Sequence, residues 1–314
     1  MRLLYIPALV LAALPLGVAA QDADLTGGKK IPVKTCSEGQ RFFLRKDMVR
    51  TQIGQELGTC RTFAGGSPAS FSYTHNGVAD SWQLSADAAF GYVLKHSSSP
   101  SALADLFPSL VSSSLIAFAE IDGNRSSAGV SSGTGRVGLI YEAMFLPGTP
   151  VFSYGVLDVV PYYRFGLDGD AKGYGLELAY VPVFGPLNHN AVVDNRKDNV
   201  VFSTSSVFRV DAYHSETGGN TRLGNGQDYV WVGADLGAKV LFRNDKRTVA
   251  TAGIELSHYR DVETGQEATR GVANLSFPLD EKEIATFNLT YTHGRTRSDL
   301  TKVEKFGASL GIKF

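Results

Sequence analysis

From Ala69 to the carboxy terminus, apolar residues return at every second position in one segment after another. A pleated strand sends successive side chains to opposite faces, so a period of two gives it one apolar and one polar face. Trp82, Leu84, Ala86, Ala88, Phe90, Tyr92 and Leu94 share one phase, against Gln83, Ser85, Asp87 and Gly91 on the other. Val230, Val232, Ala234, Leu236, Ala238, Val240 and Phe242 repeat this against Gly233, Asp235, Gly237 and Lys239. Twelve segments carry the pattern: 69–75, 81–94, 114–121, 136–145, 151–165, 173–181, 200–214, 229–242, 249–259, 269–279, 285–293 and 305–314. Their lengths suit tilted strands of about 9 to 11 residues that cross a bilayer.

The charges decide which face is which. Arg136, Glu142, Glu177, Arg209, Asp211, Asp235, Lys239, Glu255, Arg270 and Lys305 all fall on the non-apolar phase of their strands. An Arg or Lys facing lipid near the midplane costs about 2 to 4 kcal/mol, so these side chains are expected to point into a lumen. A soluble barrel would show the reverse, with its apolar face inside. The expected fold is therefore all-β, a transmembrane antiparallel barrel of about twelve strands.

Bacterial barrels keep short turns at the periplasmic end and longer loops outside. With the carboxy terminus in the periplasm, the short connections 146–150, 243–247 and 278–283 fall on that side. The connections 122–135, 166–172, 215–228, 260–267 and 294–304 fall outside, mostly longer and rich in Gly, Asn and Ser. Segments 95–113 and 182–199 are long for the periplasmic side, which leaves ten or fourteen strands open. Aromatics near strand ends, among them Tyr73, Trp82, Tyr92, Phe145, Tyr163, Tyr174, Tyr180, Phe242, Tyr259, Phe277 and Tyr291, suit a lipid-interface girdle.

The amino terminus points to export. Arg2, an apolar run from Leu3 to Val18 and the small residues Ala19 and Ala20 form a signal-peptide pattern over residues 1–20. The run is short for a membrane helix of about 20 residues. Residues 21–68 do not carry the alternation; 40–57 mixes apolar and basic residues at approximately helical spacing, and the segment is expected to be a periplasmic extension or a plug. Its cysteines, Cys36 and Cys60, are the chain's only two, and in an exported chain they are most simply one disulfide closing that segment. The barrel itself then spans 69–314. A formal charge of -1 with 43% hydrophobic residues gives no reason to expect a nucleic-acid partner.

The final stretch, F-G-A-S-L-G-I-K-F from Phe306 to Phe314, resembles the C-terminal strand of Gram-negative outer-membrane barrels. That resemblance implies recognition by the barrel assembly machinery, location in the cell outer membrane, and contact with outer-membrane lipid and lipopolysaccharide. It implies no particular activity.

No H-E-x-x-H or P-loop occurs, and no nucleophile elbow or dinucleotide fingerprint stands in a strand-turn-helix context, so no catalytic residue, cofactor or metal is assigned. Asp168-Gly169-Asp170 reads as a solvated turn rather than a calcium loop. His75, His214, His258 and His293 end upward strands in the outward phase; they suit a headgroup interface, and a metal or lipid-headgroup site would require several to converge. Ser257 and His258 are neighbours in a strand and point to opposite faces, which excludes that pair as a hydrolytic dyad. The expected function is a porin-like passage for small polar solutes, with Arg209, Asp211, Asp235 and Lys239 central. The alternatives are a non-conducting scaffold, export accessory or surface receptor, and a lipid-acting membrane enzyme. Opposite charges in the lumen either line a path or seal it.

Overall fold

The computed structural model of the chain describes residues 42–45, 69–76, 81–97, 110–126, 131–145, 154–183, 199–219, 223–244, 247–280, 285–297, 300 and 302–312. The residue ranges 1–20 and 21–41, with Cys36, and Cys60 itself, lie outside them, so the leader and the disulfide do too.

The described strands form one antiparallel sheet closed on itself. They are β1 (Phe42–Arg45), β2 (Ala69–Asn76), β3 (Ser81–Ser97), β4 (Leu110–Ser126), β5 (Ser131–Phe145), β6 (Tyr154–Gly166), β7 (Lys172–Val183), β8 (Val200–Thr217), β9 (Gln227–Asn244), β10 (Arg247–Asp261), β11 (Glu267–Pro278), β12 (Ala285–Arg295) and β13 (Lys302–Ile312). Each strand from β2 to β13 pairs with its sequence neighbours, and Leu310, Gly311 and Ile312 of β13 pair with Phe71, Ser70 and Ala69 of β2. Closure satisfies the backbone groups that an open edge would leave bare in lipid. The twelve barrel strands coincide with the twelve alternating segments, most extending a few residues further at one or both ends.

One strand differs from the sequence expectation. Phe42–Arg45, inside a stretch of helical spacing, is extended and pairs with Tyr92 to Ala89 of β3. Ser70 of β2 pairs with Asp87 of that same edge, so β1 and β2 are collinear on β3. Four residues are too few for a period to declare itself, and the tertiary pairing overrides the local pattern.

Large apolar side chains cover the outside without being buried by protein. Phe306 is 73% exposed, Ile254 66% and Leu310 54%, with Phe90, Leu139, Phe208, Val232, Leu236 and Leu256 also exposed. A continuous apolar exterior of this extent is what a lipid solvent accepts and water does not. Tyr259 leaves the expected girdle: it points inward and is buried.

Inside, the wall is not uniformly polar. Phe43 of β1, Ile116 and Phe118 of β4, Ile140 of β5, Val156 and Val160 of β6, Val181 of β7 and Val207 of β8 belong to one buried cluster. Toward the β11–β12 connection the inner wall of these two strands is instead small and polar: Ser276 Oγ donates to Asn288 Oδ1 at 2.7 Å, and Asn288 Nδ2 donates to Thr286 Oγ1 at 3.2 Å. The turns carry their own ties. Asp261 accepts the Val230 N–H at 2.6 Å and the Thr264 N–H at 2.7 Å, fastening the β10–β11 turn to β9. Asp168 Oδ1 accepts the Asp170 N–H at 3.1 Å while Gly169 takes φ +83°, an ordinary Asx turn.

Candidate functional site: a ring of charge in the lumen

Strand pairing brings one inward charge from each of β4, β5, β7 and β9 and two from β8 together. Glu120 of β4 faces Arg136 of β5, and Glu177 of β7 faces Asp211 of β8. Two carboxylates side by side away from water repel strongly, so cations must reach them. Arg136 Nη2 donates to Glu120 Oε2 at 2.7 Å and its Nη1 to Glu177 Oε2 at 3.2 Å. Arg209 Nη1 donates to Glu177 Oε1, and its Nε to Asp235 Oδ2 at 3.0 Å. Arg297, from the β12–β13 connection, folds back into the barrel, donates to Glu177 Oε2 at 3.0 Å and sits 3.4 Å from Asp211 Oδ2. Glu177 thereby collects three guanidinium groups and is fully buried.

Two phenols complete the ring. Tyr162 donates to Asp211 Oδ1 at 2.7 Å, and Tyr259 donates to Asp235 Oδ2 at 2.7 Å. Arginine planes lie over the aromatic rings: Arg136 is 5.3 Å from the Tyr162 centroid, Arg164 5.0 Å from Tyr213 and Arg297 4.7 Å from Tyr259. Tyr213, Tyr229 and Trp231 continue as a stack on β8 and β9. Burial works against the charge on Arg297, yet Asp211 and Glu177 beside it override that cost and hold it more firmly protonated than a solvated arginine.

The space left in the ring is a cavity of about 170 Å³, bordered by Glu120, Asp122, Arg136, Arg164, Arg270 and Arg297. Ligand pockets run to roughly 300–1,000 Å³, so this one suits water and small ions better than a larger bound molecule. The acids of the ring stand on β4, β7, β8 and β9, while Arg270 of β11, Arg295 of β12 and Arg297 border the same space from the other side. The lumen is therefore narrowed and lined by charges of both signs.

Of the residues expected to line it, Arg136, Glu177, Arg209, Asp211 and Asp235 meet in the ring, and Arg270 borders the cavity. Glu142 is buried beside Asp158 of β6, between the ring and the β5–β6 connection. Lys239 and Glu255 lie on β9 and β10 below the ring, paired in register with Gly253 and Gly237. Lys239 thus stands apart from Arg209, Asp211 and Asp235, with which the sequence grouped it. Lys305 is on β13 opposite Thr292, and its side chain is outside the described portion.

Glu120, Tyr162, Arg164, Tyr259 and Arg297 were not foreseen. The inward phase of Ser114 and Ile116 could have found Glu120, and that of Glu255 could have found Tyr259. Arg297 lies in a connection with no period, and nothing local marks it.

Among the described side chains the outward histidines form no common cluster, and that of His75 lies outside them. His214 Nδ1 lies 2.7 Å from Asp228 on the neighbouring strand, while His258 Nδ1 lies 2.7 Å from Thr269 Oγ1. Ser257 is buried on the lumen side and His258 exposed on the other, as alternation requires. Among the described residues no group of three His, Cys, Asp or Glu side chains is disposed to hold a metal.

No family model matches the chain, and no curated protein matches it. Among solved structures it is similar to a NanC porin in a rhombohedral crystal form, at 10% identity and a TM-score of 0.37, over 79% of this chain and 98% of that one. A likeness that loose carries no function across.

Proposed function

We propose that the chain is a porin-like barrel of the Gram-negative outer membrane that passes small polar or ionic solutes through the constriction at Glu177. The carrying observation is the ring itself: the guanidiniums of Arg136, Arg209 and Arg297 meet the carboxylates of Glu120, Glu177, Asp211 and Asp235 inside the lumen, with Arg270 bordering the space left. Fixed charges of both signs at close quarters orient dipolar solutes and sort ions, while the narrow clearance sets a size limit. The role is passive, and it asks nothing of catalytic chemistry. The last strand is the handle proposed for the assembly machinery.

The depth of burial supports a second reading. Glu177 is 0% exposed, Arg209 5% and Asp211 4%, so the ring also suits a seal in a non-conducting scaffold or receptor. Uptake into liposomes separates the two. With ions, glycine, a monosaccharide and a trisaccharide offered in turn, a channel admits the smaller members and excludes the largest. Rates equal to protein-free liposomes for every solute, ions included, would establish the seal.

A further inference from the structure

Most charges that border the lumen cavity are already engaged by the protein. Glu120 is held by Arg136, Asp235 by Arg209 and Asp211 by Arg297, while the Arg164 guanidinium lies over the ring of Tyr213. Asp122, Arg270 and Arg295 remain. Among the described residues their side chains make no hydrogen bond or ion pair, either with one another or with any other group. Asp122 and Arg295 are exposed to the lumen and Arg270 is partly so.

The two signs come from different sides of the cavity. Asp122 projects from β4 in the inward phase of Glu120, and Asp87 of β3 stands directly across from it in register. Like charges paired across strands repel, so this side favours a cation. Arg270 projects from β11 opposite Gly294 of β12, and Arg295 is the next residue along. The phase of Tyr291 and His293 would turn Arg295 toward lipid. Gly294, at φ +127°, breaks that alternation, and Arg295 borders the lumen instead. A Cβ on Gly294 would collide with the Thr269 carbonyl oxygen, so the break needs glycine. Two neighbouring guanidiniums without an acid of their own favour an anion, and a carboxylate matches their planar fork.

We infer that the cavity is a binding site for a small zwitterion of the amino-acid kind, with its carboxylate at Arg270 and Arg295 and its ammonium at Asp122. The inference rests on the conducting reading above and names the solute class that the constriction selects. Solvent-exposed charges hold such a solute weakly enough to let it go again, as a passage requires. Uptake into liposomes at about pH 6 and low solute concentration tests it with glycine, glycolate, glycinamide and glycolamide, which are zwitterion, anion, cation and neutral at nearly one size. Wild type is expected to pass glycine fastest, about fivefold faster than glycolamide, with one exposed charge pair acting at each end. Asp122→Asn is expected to bring glycine down to the glycolate rate, and Arg270→Gln/Arg295→Gln to bring it down to the glycinamide rate. Glycolamide uses neither charge and is expected to pass all three proteins equally, which reports that the barrels are intact. If a variant fails to assemble, the wild-type order decides alone. Equal rates for the four solutes in wild type, or glycolate or glycinamide ahead of glycine, would overturn the inference and leave the channel standing, as would a glycine advantage that survives both changes. Entry of none of them above the rate of protein-free liposomes would overturn the conducting reading and this inference together.

Discussion

Replacing Arg209 by Ala is expected to destabilise the folded barrel by about 3–5 kcal/mol, the cost of breaking a buried ion pair by removing one partner. Arg209 stands between Glu177 and Asp235, and Ala would leave both carboxylates buried with one cation fewer. Reversible urea unfolding in lipid vesicles reads the loss directly. The mechanism also fixes the sign of a compensation: adding Asp235→Asn to the Ala variant removes one stranded charge and is expected to recover part of the stability. A cost below about 1 kcal/mol would instead be that of an exposed pair and would refute the buried ring.

Leu139→Arg is the second large effect. Leu139 lies near the middle of β5 and is exposed on the outside, so the guanidinium would enter the hydrocarbon at a cost of about 2–4 kcal/mol. Ser276→Arg places the same side chain on the inner wall of β11, beside Asn288, where the lumen is polar. It is expected to cost well under half as much in the same assay. Equal penalties at the two sites would contradict the assignment of inside and outside.

The barrel was legible because most strands are asymmetric across the pleat. Leu236 and Asp235 are neighbours that need opposite solvents, and only an alternating strand gives them both. Where the two faces become alike, the period fades. In β6, Val156, Val160 and Tyr162 point inward while Leu157, Val159 and Tyr163 point outward, so the buried apolar wall left no trace in the pattern. The site was half legible for the same reason. Strand residues such as Glu177 and Arg209 inherit their direction from their neighbours, and register then brings them level. Tyr259 looked like one more aromatic at a strand end until its inward phase set it against Asp235. Arg297 depends on a connection folding back into the barrel, a long-range packing outcome that no local spacing encodes.

Single-channel recording in a planar bilayer tests the central claim that the ring at Glu177 is the narrowest point of a conducting path. Wild type is expected to show small, steady conductance steps whose ion preference reports the fixed charges. Arg297→Ser removes the one ring arginine that comes from a connection rather than the wall, and it is expected to raise the step size and shift selectivity toward cations. Silence in both proteins, under conditions where a known porin conducts, would contradict the account and leave the ring as a seal.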